Sequence, residues 1–315
     1  MKIVALDAAT LGADIDLSPI RQMGDLTVHL NTPEAEIATR VADADVVVVN
    51  KLKMNEKTLN GAKNLKLICV TATGYDNVDT AWCRAKGIAV CNVPAYSTDS
   101  VAQVTLAMAL GLVTHIFAYR DHVNSGAYTQ NGVANCLSPV YHEISSLTWG
   151  VVGGGHIGRR VAEVARALGC RVLMCRKSPE TEFEGADIDT VCREADIISL
   201  HVPLTPETRG MISRERIATM KKSAVLINVA RGAVTDEAAL AEAIAEGRLG
   251  GLGVDVFEKE PLVEGHPFGA IAHLENVCLT PHMAWGAAEA RARCVATVAE
   301  NIAAFAHAER KNRIV

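Results

Sequence analysis

At 315 residues the chain is long enough for about two domains, each with its own core. With 49% hydrophobic and 21% charged residues, disorder is excluded as the main state. Lys and Arg total 31 against 36 Asp and Glu, a net charge of −5 with no long block of like sign, which excludes the electrostatic footprint of a nucleic-acid binder.

The first apolar run, Lys2–Leu6, ends in an acid and is too short for a secretory h-region, so it reads as a buried strand. Leu26–Leu30, Val46–Val49, Leu67–Val70 and Ile88–Cys91 follow, separated by helical stretches. That alternation predicts parallel α/β architecture. Pro94 and small polar residues interrupt the pattern near Asn92–Thr98, where a domain boundary is expected. Val101–Tyr119 is mostly apolar but carries Gln103, Thr105, Thr114 and His115 and lacks basic flanks. It predicts one helix buried between domains or subunits rather than a membrane span.

A second series comprises Trp149–Val152, Arg171–Cys175, Ile197–Leu200, Val225–Asn228, Gly251–Val254 and Val277–Leu279. Six strands suit a complete dinucleotide-binding sheet. Ala287–His307 is Ala-rich with helical apolar spacing and has no further strand to lead into. Packing back on the first domain would bury its apolar face. The expected division is therefore a discontinuous domain, 1–98 with 287–315, into which a nucleotide-binding domain, 99–286, is inserted. The nine cysteines are scattered, with no Cys-x-x-Cys pair, and read as reduced thiols of a cytosolic protein without a metal site.

Trp149–Val152 leads into Gly153-Gly154-Gly155-His156-Ile157-Gly158 and then an amphipathic helix closed by Gly169. In that strand–loop–helix context G-x-G-x-x-G is a dinucleotide signature. Gly153 allows the tight turn, Gly155 the approach of a pyrophosphate and Gly158 close helix–strand packing, while the helix N-terminus meets the anion. The second strand of such a sheet usually ends in an acid that reads the adenosine ribose. Here it ends in Arg176-Lys177-Ser178. Two cations and a hydroxyl suit a 2′-phosphate, and one charge-assisted contact of about 1.5–3 kcal/mol would favour NADP over NAD roughly ten- to hundredfold. The competing reading is that they are ordinary surface charges, which would leave NAD use open.

Ligands of open α/β sheets bind at the carboxyl ends of the strands. Arg231 follows Val225–Asn228, Glu260 lies in the segment after Gly251–Val254, and His282 follows Val277–Leu279. Singly, each could be a surface residue; together they form an acid/base and anion-binding set. Hydride transfer to a carbonyl leaves charge on oxygen, which an imidazolium at His282 can neutralise by giving its proton. A carboxylate beside an imidazole favours the protonated ring, the role expected of Glu260. The planar fork of Arg231 can hold a substrate carboxylate. The implied substrate is a small 2-oxo acid.

These pieces, with Thr73-Gly74-Tyr75-Asp76-Asn77-Val78-Asp79, the junction from Asn92-Val93-Pro94 to Ser100-Val101-Ala102, Asn228-Val229-Ala230-Arg231-Gly232, Asp255 to Pro261 and Thr280-Pro281-His282, resemble the D-isomer-specific 2-hydroxyacid dehydrogenase family over essentially the whole chain. The resemblance implies a Rossmann-type doubly wound parallel sheet domain inserted into a second, flavodoxin-like α/β substrate domain. It implies a catalytic set of Arg231, Glu260 and His282. Cofactor contacts are implied at Gly153, Gly155, His156, Ile157, Gly158, Arg176, Lys177, Ser178, Val229, Ala230, Val101 and Asp255, the last to the nicotinamide amide. Substrate contacts are implied at Thr73, Gly74, Tyr75, Arg231, His282 and Trp285, although Gly74-Tyr75 alone would read as an ordinary turn and a tryptophan more often serves a core. The stretches Cys91 to Gln103 and His282 to Trp285 are similar to the glycerate dehydrogenase and hydroxypyruvate reductase branch. A homodimer through the nucleotide-binding domain is implied, and membrane and nucleic-acid partners are not. Arg176 departs from the family pattern, where most members carry Asp. Two rival readings stay open: a dehydrogenase for another 2-oxo acid, and a nucleotide-sensing corepressor-like binding protein, which the acidic balance and the absence of a disordered tail after Glu309 disfavour.

Overall fold

Short runs of Val, Ile and Leu, too apolar to leave either face in water, set the architecture. The computed structural model describes residues 1–178 and 182–315. It divides into two units, Met1–Ser97 with Gly286–Val315, and Thr98–Trp285.

The first unit holds a five-stranded parallel sheet of β1 (Lys2–Ala5), β2 (Asp25–Val28), β3 (Val46–Val49), β4 (Leu67–Val70) and β5 (Ala89–Cys91), in the order β2-β1-β3-β4-β5. That is the flavodoxin-like order, with its reversal between β1 and β3. Every residue of β3 and β4 is buried, as a parallel sheet covered on both faces requires. β2 stops at Val28, short of the expected Leu30. Its one neighbour, β1, ends at Ala5 and passes into the 3-10 turn Ala8–Leu11, so Leu30 is 65% exposed. The C-terminal helix Ala288–Ala306 belongs to this unit and packs on β4 and the helix Ser18–Arg21. Cys294, Val295, Val298 and Ile302 form its buried stripe. Within that stripe the buried Asn301 donates through Nδ2 to the Asn92 carbonyl at 2.9 Å, which satisfies a polar group that would otherwise oppose burial.

The second unit carries β6 (Thr148–Val152), β7 (Arg171–Cys175), β8 (Glu184–Gly185), β9 (Ile197–Leu200), β10 (Val225–Asn228), β11 (Gly251–Val254) and β12 (Val277–Leu279). They form one parallel sheet, ordered β12-β11-β10-β9-β6-β7-β8, whose direction of growth reverses between β6 and β9. This is the doubly wound order of a dinucleotide-binding domain with a further strand beyond β11. Among the described residues seven strands stand where six were expected. β8 has two exposed residues paired to β7 and offers no hydrophobic pattern to read.

Val101–Tyr119 is not one helix. The helix Thr98–Val113 gives way to Ile116–Asn124 with a bend of 64°. The Thr114 hydroxyl donates back to the Leu110 carbonyl at 2.6 Å, and His115 takes a left-handed φ of 51°, which ends the first helix. The first helix buries Val101, Met108 and Leu112 in the unit's core, as an apolar helix should. Among the described residues no single helix is long and apolar enough to cross a membrane.

Candidate active site

The glycine loop joins β6 to the helix His156–Ala167. Gly153 has φ of 109°, and a Cβ there would stand 2.7 Å from the His201 backbone. A Cβ on Gly158 would lie 1.8 Å from the Gly153 carbonyl oxygen, so the helix seats against the strand end only because both positions lack side chains. A Cβ on Gly155, by contrast, would meet nothing within 4 Å. That open space lies at the helix N-terminus, where unspent backbone N–H groups and the helix dipole favour an anion. The cradle fits a dinucleotide pyrophosphate. His156 is exposed and Ile157 half-buried at the first turn.

Arg176 follows β7 and lays its stem over the loop: a Cβ on Gly154 would be 2.9 Å from its Cδ. Its Nη2 donates to the Ser178 hydroxyl at 2.6 Å. Lys177 is exposed and acts on Glu207. The Glu207 carboxyl is held below its usual range first by the Thr205 hydroxyl, then by its own backbone N–H and the charge of Lys177. Arg176 and Ser178 thus form a joined pair at the rim of the glycine loop, with Lys177 facing a carboxylate.

Buried polar residues shape the turns after β10 and β11. Asn228 accepts from the Ala230 N–H at 3.0 Å and donates to the Arg231 carbonyl at 2.9 Å, closing the turn that presents Arg231. The Arg231 guanidinium is half-buried and donates to the Ala230 carbonyl at 2.8 Å. The next residue lies hard against the following loop: a Cβ on Gly232 would stand 2.0 Å from the Glu258 nitrogen. Any side chain there would separate the Arg231 turn from the segment that carries Glu260.

Glu260 and His282 meet. Glu260 Oε2 lies 2.6 Å from His282 Nδ1, and its Oε1 accepts from the Phe257 N–H at 3.1 Å. The two side chains keep 29% and 21% of their surface, so the pair is accessible without being fully solvated. With Nδ1 on the carboxylate, the ring proton there is fixed toward Glu260. His282 sits at φ of 52°, a region a non-glycine residue occupies at a cost of about 1–3 kcal/mol. Asp255, 1% exposed, offsets that cost. Its Oδ1 accepts from the Met283 N–H at 2.8 Å and from the Thr280 hydroxyl, and its Oδ2 from the Ala284 N–H at 2.9 Å. Three of roughly four acceptor sites are therefore committed to the His282 loop, and at most one remains for a nicotinamide amide. Ser100 ties the same loop to the helix Thr98–Val113 through the Ala284 carbonyl.

Val229 and Ala230 lie in the Arg231 turn, Val101 is buried in the first helix, and Trp285 is half-buried three residues beyond His282. Thr73, Gly74 and Tyr75 belong to the first unit, after β4, where the Thr73 hydroxyl donates to the Val93 carbonyl at 2.9 Å and Tyr75 is partly exposed. Among the described residues no group of three or more His, Cys, Asp or Glu could hold a metal ion.

Three polar residues at this sheet edge escaped the sequence reading. His201 follows β9; its Nε2 lies 3.0 Å from the Ser199 hydroxyl, which also takes the Trp149 indole N–H at 3.0 Å. Its Nδ1 is sealed from solvent with no hydrogen-bond partner among the described residues, and burial pushes the ring pKa down to about 3. The strand-end rule that picked Arg231 and His282 applies equally to His201. Glu237 and His266 are the other two, and they pair with each other at 2.8 Å.

Residues 106–284 match the family model described as D-isomer specific 2-hydroxyacid dehydrogenase, NAD binding domain. A glycerate dehydrogenase of Methylorubrum extorquens is 37% identical over 89% of this chain and 88% of its own length. A hydroxypyruvate reductase of Blautia hydrogenotrophica is 32% identical over 97% of each. Among solved structures, an acyclic imino acid reductase in complex with NADPH and D-Arg superposes over the whole of both chains with a TM-score of 0.89 at 28% identity.

Proposed function

Because this chain belongs to the D-isomer-specific 2-hydroxyacid dehydrogenase family, and is thus a nicotinamide-dependent oxidoreductase acting on CH–OH groups, we propose that it reduces hydroxypyruvate, glyoxylate or a related short 2-oxo acid, with NADPH as the preferred donor. The 2.6 Å contact between Glu260 and His282 carries the reading. An imidazole backed by a carboxylate on Nδ1 is built to give and take a proton at Nε2. Arg231, held by Asn228 on the neighbouring strand end, brings a two-pronged cation for a carboxylate or a polarised carbonyl.

When bound, the nicotinamide supplies the hydride, and the protein does the rest. The loop from Gly153 to Gly158 holds the pyrophosphate, with Val229, Ala230, Val101 and the remaining acceptor site of Asp255 toward the nicotinamide. Arg176 and Ser178 take the 2′-phosphate, with Lys177 at its edge. His282 delivers the proton that balances the charge left on the carbonyl oxygen. Glu260 fixes the ring through Nδ1 as that proton leaves and returns. Trp285 walls the pocket beside His282, and for the first unit the backbone N–H groups of Thr73, Gly74 and Tyr75 are carboxylate donors.

The same proposal includes a homodimer through the second unit and a cytosolic setting. Supporting the dimer is an apolar groove of about 510 Å³ lined by Val104, Leu110, Ile116, Phe117, Cys278 and Met283, together with exposed Leu137, Val140 and Tyr141. All nine cysteines are free, which suits a reducing compartment.

Oxidation of NADPH and NADH, followed side by side with hydroxypyruvate, glyoxylate, pyruvate and a branched 2-oxo acid, tests the reading. Turnover of NADPH with either of the first two supports it. Preference for NADH overturns the role of Arg176 alone, preference for the branched acid overturns the substrate class, and nucleotide binding with no turnover on any acceptor favours a sensor.

A further inference from the structure

Behind the Glu260 segment lies a second carboxylate–imidazole pair. Glu237 opens the helix Glu237–Ala245, six residues after Arg231, next to the Asp236 cap that accepts from the Ala239 N–H. One of its oxygens, Oε1, accepts the backbone N–H of Glu258 at 2.9 Å. The other, Oε2, lies 2.8 Å from His266 Nε2. Both side chains are nearly sealed, at 10% and 7% exposure. His266 Nδ1 in turn accepts the Phe268 N–H at 3.2 Å, and the ring is packed between Phe257 and Phe268, with centroids at 5.9 and 5.1 Å.

The bonding assigns the tautomer. A backbone N–H can only donate, so Nδ1 is the acceptor and the proton sits on Nε2, aimed at Glu237. Every polar atom of the pair then has one defined partner, and the Glu237 carboxylate bridges two segments: the helix that continues from the Arg231 turn, and the loop whose Glu258 lies two residues before Glu260. Gly232, pressed on the Phe257–Glu258 backbone, is the steric half of the same junction.

We propose that Glu237 and His266 are a positioning pair for the reaction, setting the Glu260 loop against the Arg231 turn so that the carboxylate reaches His282. The inference rests on the catalytic reading above and adds residues that touch neither substrate nor cofactor. Their effect runs through Glu260. A shift near 1 Å in a catalytic group can cost about a hundredfold in rate, so the pair acts on kcat. Nucleotide binding is set elsewhere, by the loop after β6.

Three substitutions test this. Glu237→Gln keeps the shape but has one acceptor oxygen for two N–H donors, so its amide NH2 would face one of them. His266→Asn keeps an acceptor for the Phe268 N–H and loses the donor to Glu237, whereas His266→Gln keeps a donor near the Nε2 position and loses the cap. E260Q and H282N serve as the reference for the catalytic reading. E237Q and H266N are expected to lower kcat about 10- to 100-fold, with KM changed by less than about threefold and NADPH affinity retained in a fluorescence titration. H266Q is expected to recover most of the kcat lost in H266N, although both disturb the same core. In the E260Q background E237Q is expected to add less than about twofold, because residues acting as a unit are not additive.

Equal losses from E237Q in the parent and in E260Q would overturn the proposal, as would unchanged kcat in both E237Q and H266N while E260Q and H282N fail. Full turnover in E260Q and H282N themselves would remove the catalytic reading first and the positioning role with it. These outcomes are distinct.

Discussion

His201 offers a test of the second unit that needs no substrate. Burial pushes its pKa to about 3, against 6.5 for an unperturbed ring, and its Nδ1 is sealed from solvent with no hydrogen-bond partner among the described residues. Between those two values the unfolded chain binds a proton that the folded chain refuses. Stability contributed by this site is therefore intact above about pH 6.5 and is lost as the pH falls toward 3. With these two pKa values the loss by pH 5 is about 2 kcal/mol, approaching roughly 4–5 kcal/mol near pH 3. His201→Gln removes the titration while leaving a polar group toward the Ser199 hydroxyl. Urea unfolding followed by tryptophan fluorescence at pH 5 and pH 7.5 gives the comparison, and Trp149, whose indole bonds to Ser199, lies in the same polar chain. Other groups titrate too, so the quantity is the difference between parent and variant, at equal denaturant slopes. The parent is expected to lose about 2 kcal/mol more than H201Q between the two pH values. A difference under about 0.5 kcal/mol would mean that His201 reaches water or a proton partner in the folded protein, and the reasoning from burial would fail.

Three further outcomes follow from the site. His282→Asn is expected to lower kcat by about two to four orders of magnitude with NADPH affinity preserved in a fluorescence titration. Arg176→Asp replaces the cation over Gly154 by an anion and is expected to move the NADPH-to-NADH ratio of kcat/KM about ten- to hundredfold toward NADH; an unchanged ratio would exclude Arg176 as the phosphate reader. Asp255→Asn sets an amide against one of the Met283 and Ala284 N–H donors and is expected to cost about 1–3 kcal/mol in urea unfolding, with a fall in turnover as the left-handed turn at His282 relaxes.

The parts legible in the sequence share a physical cause. β3, β4, β9 and β10 are covered on both faces, so apart from Ser199 and Asn228 their residues are apolar and the runs stand out. The glycine loop is legible because only glycine tolerates the φ at 153 and the contact at 158. Arg231, Glu260 and His282 stand out as polar residues just after such runs. What stayed hidden depends on the conformation of a single residue or on contacts distant in sequence. The bend at His115 turns on a single left-handed residue inside a pattern that is apolar on both sides. β8 exists only because β7 offers it an edge. The commitment of Asp255 to the His282 loop spans up to 29 residues, as does the pairing of Glu237 with His266, and no local pattern records either bond.

Those hidden contacts explain how the half-buried groups proposed as catalytic hold a fixed geometry. In the proposed function the side chains of Glu260 and His282 must reach solvent and substrate, so packing alone cannot immobilise them. Their backbones are fixed instead by polar groups one layer deeper, at or just past the ends of β10 and β11: Asn228, fully buried, and Asp255, 1% exposed. Burying such groups is costly unless they are bonded, and each is bonded to the backbone of the loop that carries Arg231 or His282. The two roles reinforce each other: a loop that shifts leaves a buried carboxylate or amide unsatisfied, so displacement of Arg231 or His282 is penalised at the sheet edge itself. Donors and acids held in place before substrate arrives need no reorganisation during the reaction, which is the condition for their charge to lower the barrier.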